Sequence, residues 1–276
     1  MSRNSKETLN GFSDVDGSKS PRSFVAYLNK SNSFEALQMN KFQLINRLGA
    51  RKGDRILDIG CGVGHDSRTL AQWVGPTGYV IGVDRSKTMI RAARRAVRHL
   101  NLPLDFRLGD IHRLDFEDST FDACLASKVF LHIEHPRKAV SEIVRVLKPG
   151  ACLAALEPDF DTLAIRARDR TAARQLTIAL QQSVRHGGIG HRLPVLFKQA
   201  GLTNITVELS TCTMSDYFLA NEVFRIEAAI KAARATERFS PSRIGNLLRD
   251  LQSGGEASFL ATLTGFAVFG TRPTAN

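Results

Sequence analysis

Between residues 53 and 158, short apolar runs alternate with helix-patterned stretches. "GDRILDIG", "TGYVIGVD", "LDFRLGD", "FDACLAS" and "ACLAALEP" read as strands. Residues 65–73, 86–100 and 136–146 read as helices between them. Such alternation demands parallel strands joined by right-handed crossovers, a doubly wound α/β sheet. "NITVELSTCT" and "SFLATLTGFAVFGTRP" read as two further strands, giving a mostly parallel sheet of seven. A ligand on such a sheet lies beyond the carboxyl ends of its strands. Asp58, Asp84, Asp110, Ser127 and Glu157 each end a strand, so all five are aimed at one rim.

The rest of the chain fits around that sheet. With 276 residues and 43% hydrophobic content it can bury one large core. Residues 1–22 are polar and read as a mobile tail, and residues 23–276 as a single domain. A helix is expected over 33–49, with Ser33 at its N-cap and Phe34, Leu37, Phe42, Ile45 and Leu48 near one face. Further helices are expected in "TAARQLTIALQQSVRH", "RLPVLFKQAG", "DYFLANEVFRIEAAIKAARA" and "RIGNLLRDLQ". The last two form a helical insertion over about 214–254, between the final two strands, placed to cap the site. No apolar run reaches membrane-spanning length, and the N-terminus lacks a secretory h-region. Cys61, Cys124, Cys152 and Cys212 are scattered without a CxxC pair, which suits free thiols in a reducing cytoplasm. The net charge of +11 is partly gathered on "RSKTMIRAARRAVRH". There Met89, Ile90, Ala93 and Val97 hold helical spacing while Arg91, Arg94, Arg95 and Arg98 take the other face. A solvated helix face is favoured over a phosphate-binding surface, since no aromatics interleave the charges.

The strand–turn segment "RILDIGCGVGHD" narrows the ligand. A dinucleotide fingerprint, GxGxxG, would put its third glycine where His65 stands, and a P-loop would need GK[ST]. What remains is an acid within the strand followed by G-C-G-x-G. In this pattern the chain resembles the class I S-adenosylmethionine-dependent methyltransferases, near the ubiquinone/menaquinone C-methyltransferase-like (type 11) group. The resemblance covers about residues 24–160 and continues more weakly beyond. It implies a Rossmann-like fold, S-adenosylmethionine as methyl donor and S-adenosylhomocysteine as product. It implies that Asp58, Gly60 and Gly62 meet the methionine and ribose parts, and that Asp84 accepts both ribose hydroxyls. Arg85 and Met89 would flank the adenine. Asp110 would accept its amino group, Ile111 would donate a backbone N–H, and Ser127 would sit by the sulfonium. Tyr27 belongs to a region that folds over the cofactor in related enzymes. Elementary chemistry agrees: a diol suits a carboxylate, and a cationic sulfonium is poorly matched by the Lys/Arg clamps of a pyrophosphate site.

Methyl transfer asks the protein for alignment, desolvation and sometimes a base. The base candidates are His132, Glu157 and Asp159, with Phe24 and His191 as candidate acceptor contacts. His132 resembles a family histidine near the methyl group, and the alternative is a packed loop histidine. "HIEH" lacks a third ligand and the HExxH spacing, so no metal is expected. The expected activity is methylation of N, O or an activated C in a small hydrophobic or aromatic metabolite, with no membrane span. The basic pI keeps nucleic-acid methylation as a second reading, although the [DNS]-P-P-[YFW] motif is absent. A non-catalytic cofactor-binding protein is a third, and self-association stays open.

Overall fold

The computed structural model describes residues 9–32, 43–234, 241–253 and 259–274. Seven strands form one sheet in the order β3-β2-β1-β4-β5-β7-β6. These are β1 (Arg55–Ile59), β2 (Tyr79–Asp84), β3 (Leu104–Leu108), β4 (Phe121–Ser127), β5 (Leu147–Arg166), β6 (Thr203–Met214) and β7 (Leu260–Thr271). β1 to β5 pair in parallel, and β7 runs antiparallel to both β5 and β6. The chain order reverses between β1 and β4, the switch point at which such sheets open a crevice.

The helices are α1 (Pro21–Ser31), α2 (His65–Val74), α3 (Lys87–Val97), α4 (Pro136–Val146), α5 (Arg170–Gln181), α6 (Ile189–Gln199), α7 (Tyr217–Phe224), α8 (Ile226–Arg234) and α9 (Pro241–Ser253). β1 is buried on both faces: Ile56 and Leu57 are fully inaccessible, each worth about 2 kcal/mol of apolar burial. On α3, Met89, Ile90 and Ala93 face the core as their spacing predicts. Arg94 on its polar face donates from Nε and Nη2 to the Phe106 carbonyl, so part of that basic face ties helix to sheet.

Two expectations change. Residues 9–22 are no mobile tail: Leu9–Asp14 form a 3-10 helix, and Leu9, Val15 and Phe24 are buried. Phe12 packs on Phe24 at 4.8 Å between ring centroids, so apolar burial fixes this segment. The single long helix expected from Asp216 divides into α7 and α8. Arg225 takes a left-handed conformation (φ 56°), and Asn221 captures the Glu227 N–H with its side chain. Of the helix expected over 33–49, only residues 43–47 are described as helical, and Ser33, Phe34, Leu37 and Phe42 lie outside the described residues. α7, α8 and α9 fall between β6 and β7.

Candidate active site

One cavity of about 260 Å³ opens along the predicted rim. Asp58, Gly60, Gly62, Asp84, Arg85, Met89, Asp110, Ile111, Ser127, His132 and Tyr27 all line it. At its first end the β1–α2 turn is tight. Gly60 has φ 64°, and a Cβ there would lie 2.5 Å from Val129 Cγ2. Gly64 (φ 79°) does what a third fingerprint glycine does elsewhere, since a Cβ there would reach the Phe106 ring at 2.4 Å. His65 therefore opens α2 without crowding the sheet.

Three carboxylates frame this end. Asp58 is buried and accepts the Ser67 hydroxyl. Asp84 accepts the Gly62 N–H at 3.0 Å on Oδ2 and the Ser86 N–H at 2.8 Å on Oδ1. Burial pushes its carboxyl up, and those two donors pull the other way. Each oxygen keeps a lone pair for a ligand hydroxyl. Asp110 accepts the backbone N–H and ring Nδ1 of His112, both on Oδ1, at 2.9 and 2.7 Å. Burial opposes, but those bonds hold its carboxyl below the usual range.

The second end is apolar. Leu131, Pro158, Phe160, Met214, Phe224 and Leu263 line it, together with Lys128, Ser210 and Cys212. The roof joins chain segments far apart in sequence. The Tyr27 hydroxyl donates to the Val223 carbonyl at 2.9 Å, and the Arg225 guanidinium lies 4.9 Å from its ring centroid. Lys30 pairs with Glu222, so α1 is bound to α7 across the cavity. Burial pushes the Tyr27 phenol up to about 12, which keeps it a neutral donor. Phe12 lies 5.3 Å from the His132 ring. Burial drives the His132 imidazole down to about 3, and its Nδ1 is buried with no hydrogen-bond partner among the described residues. Burial thus favours the neutral ring.

Four sequence candidates do not reach the cavity. Glu157 is fully buried under the β4 loop. It accepts the N–H groups of Val129 and Phe130 at 2.7 Å and of Leu131 at 3.4 Å. Burial pushes its carboxyl up to about 8 against those donors. Asp159 is also fully buried, and its Oδ2 accepts the His191 backbone N–H at 3.0 Å and pairs with its ring Nδ1 at 2.8 Å. His191 leans on Phe266 outside the lining. Phe24 packs beneath the roof with Val15, Val63 and Met89. These residues hold the site's frame. The strand-end rule found Glu157 because it ends a strand's core run, but its side chain turns inward to three backbone donors. Sequence reasoning missed Leu9, Phe12, Val15 and Lys128, which line the cavity, and Asp16, which caps α3. Among the described residues no cluster of His, Cys, Asp and Glu forms a metal site, and no helix is long and apolar enough to cross a membrane.

Residues 57–155 match the family model described as "Methyltransferase domain". An "Uncharacterized 37.1 kDa protein in transposon TN4556" from Streptomyces fradiae is 38% identical over 78% of this chain and 60% of its own length. "Sterol 24-C-methyltransferase ERG6" from Saccharomyces cerevisiae is 36% identical, over 46% of this chain and 34% of that protein. A demethylmenaquinone methyltransferase from Staphylococcus aureus is 34% identical over 50% of this chain and 57% of its own. The aligned part thus spans from about a third to 60% of these relatives' lengths. Among solved structures, the YcgJ protein of Bacillus subtilis superposes with a TM-score of 0.63 over 86% of this chain and 100% of that chain, at 19% identity, which is a likeness of fold. The glycine turn and strands β2 to β4 lie within this methyltransferase-domain match, and the seven-stranded sheet around them has the Rossmann-like fold of the solved structure.

Proposed function

We propose that this protein transfers a methyl group from S-adenosylmethionine to N, O or an activated C of a small, hydrophobic or aromatic acceptor. The observation that carries the reading is a single cavity with an acid-framed end at the β1–β2–β3 tips and an apolar end at β5, β6 and β7. The residues fit the donor. Asp84 offers acceptors to a ribose diol, and Asp110 keeps Oδ2 outside its His112 bonds for an adenine amine. Met89 and Ile111 supply apolar contact to the base, with the Ile111 N–H as donor, while Arg85 flanks it. Gly60 and Gly62 let the turn close beside the methionine portion, with Asp58 beneath, and Ser127 stands at the centre of the rim. When bound, the cofactor supplies an electrophilic methyl group on a cationic sulfur. The protein's own part is to align, to exclude water under Phe12 and Tyr27, and to present uncharged His132 beside that cation. An imidazole with so low a basicity is no strong base. Named relatives acting on a sterol and a demethylmenaquinone support an apolar acceptor.

The test is incubation with methyl-labelled cofactor and separate small-molecule, RNA and protein fractions of a cell extract. Label is expected in an apolar small molecule and absent with Asp84→Ala. Label confined to RNA, with steep salt dependence, gives the site to nucleic acid. Cofactor binding without labelling of any fraction makes the protein a binder only.

A further inference from the structure

We infer that His112 makes the acid-framed end specific for a purine that carries an exocyclic amine. It acts as a positioning residue, fixing the Asp110 carboxylate so that Oδ2 is the oxygen left for the ligand. The inference rests on the methyl-transfer reading, which places an adenine amine at Asp110, and deepens it.

Asp110 follows the end of β3 by two residues, and both it and His112 line the cavity. A carboxylate on such a rim has little to hold it. The Asp110 side chain is 65% exposed and the His112 side chain only 14%, so the imidazole is the anchor and the carboxylate is what it anchors. The imidazole is itself held from behind. Its Nε2 accepts the His135 N–H at 3.4 Å, and the two rings meet edge to face with centroids 5.9 Å apart. His135 is the N-cap of α4, so the start of a helix backs the His112 ring.

That contact also fixes the tautomer. With Nε2 accepting, the ring proton stands on Nδ1, and Nδ1–H donates to Asp110 Oδ1 at 2.7 Å. The His112 backbone N–H donates to the same oxygen at 2.9 Å. Among the described residues no other hydrogen bond reaches the Asp110 carboxylate. Burial opposes the charge, but the two His112 bonds outweigh it and keep the group ionised. Oδ2 is then an acceptor only, with its lone pairs open to the cavity.

Specificity follows from the chemistry of that oxygen. An exocyclic amine donates a proton to it. A ring hydrogen at the same position donates none, and a carbonyl oxygen there is repelled. Without the imidazole, one backbone bond remains, about which the carboxylate can turn. The Arg85 charge, also on the lining, lies near enough to draw it aside. The acid would still be present, but its direction would be lost. Asp84 differs, because both of its bonds come from backbone N–H groups and need no side chain to aim it.

The experiment pairs a change in the protein with a change in the ligand, by calorimetric titration. The ligands are S-adenosylhomocysteine and its purine-riboside analogue, which has hydrogen in place of the adenine amine. Wild type is expected to bind S-adenosylhomocysteine about tenfold more tightly than the analogue, as one hydrogen bond to a charged acceptor implies. In His112→Leu and His112→Ala that ratio should fall to about threefold or less, while affinity for the analogue stays within about twofold of wild type. His112→Asn sets an amide N–H where Nδ1–H stands and should restore most of the ratio. Asp110→Ala should abolish it. A ratio unchanged in both His112→Leu and His112→Ala, or both ligands weakened alike, overturns the inference, since a residue that only supports the fold moves both together. A ratio near one in wild type, or one that survives Asp110→Ala, overturns it as well and leaves methyl transfer standing. Failure of wild type to bind S-adenosylhomocysteine overturns the underlying reading and this one with it.

Discussion

At the acid-framed end of the cavity, the polar contacts come from one stretch, residues 58–112, in which each strand hands its last residues to the rim. The apolar end is assembled from Leu9 and Phe12, from α1, from α7, and from β5, β6 and β7. One end is local in sequence and polar; the other is long-range and apolar. The first places ligand-binding acceptors by backbone geometry at strand tips. The second exists only once the N-terminal segment and α7 have closed on each other. The two carboxylates Asp84 and Glu157 show the contrast in miniature. Asp84 ends β2 and is half-buried, Glu157 lies inside β5 and is fully buried, and burial raises both, yet Asp84 faces the cavity while Glu157 is spent on three backbone amides.

The sharpest way to break this contrast is Asp84→Ala. Two charge-assisted bonds to a ligand are worth about 1.5–3 kcal/mol each, so cofactor affinity should fall at least about a hundredfold by calorimetric titration. A loss under about fivefold removes Asp84 from the binding machinery. Glu157→Ala should act on stability instead. It leaves three buried amides without an acceptor, at about 3 kcal/mol in total, and should lower Tm by roughly 6–10 °C. Glu157→Gln adds a pH signature. Burial places the folded carboxyl at about 8 against 4.5 for the unfolded chain, so the folded state holds the extra proton between those values. Its contribution is complete below about pH 4.5 and is lost as pH rises through about 8. In urea unfolding, wild type should lose stability relative to Glu157→Gln between pH 5 and 8.5; a constant difference would contradict a raised carboxyl. Tyr27→Phe tests the roof that both ends share. Losing the bond to Val223 costs about 1 kcal/mol, so cofactor and acceptor probe should each weaken about fivefold. Weakening at one end alone would show that α1 serves only that end.

The same contrast explains what could be read from sequence. The strand tips were legible because a parallel strand ends in a turn whose residues are consecutive, so Asp58, Asp84, Asp110 and Ser127 announced a common rim. His65 correctly excluded the dinucleotide fingerprint, although the close helix–sheet approach survives one residue earlier at Gly64. Direction was not legible. A strand-end acid pointing at ligand and one pointing at backbone look alike, which is how Glu157 and Asp159 entered as bases. The roof was hidden because Leu9, Phe12 and Val15 recur every third residue, the spacing of a 3-10 turn, but stand among Asn, Gly, Ser and Asp. The break at Arg225 rests on a side-chain capture by Asn221 that no periodicity carries.

The smallest effect belongs to the link between that segment and the acid-framed end. Asp16 sits over the N-terminus of α3. Oδ2 accepts the Lys87 N–H at 2.7 Å, and Oδ1 accepts the Thr88 N–H at 3.1 Å and the Ser86 hydroxyl at 2.9 Å. Ser86 itself caps the Met89 N–H, so α3 keeps one cap if Asp16 is lost. Asp16→Ala should therefore cost only about 1 kcal/mol, a fall of roughly 2–4 °C in Tm. Burial works against the charge, but the hydrogen bonds outweigh it and hold the carboxyl below 3.8. Its contribution should be present above about pH 3.8 and fade as pH falls through the lowered value. Asp16→Asn keeps an accepting oxygen and should recover part of the loss. Because the same carboxylate moors the segment that carries Phe12 and Val15, Asp16→Ala should also speed amide exchange over residues 9–15 more than over β1. Equal exchange in both would mean that apolar packing alone holds the roof, and the two ends of the cavity would then be joined only through the sheet.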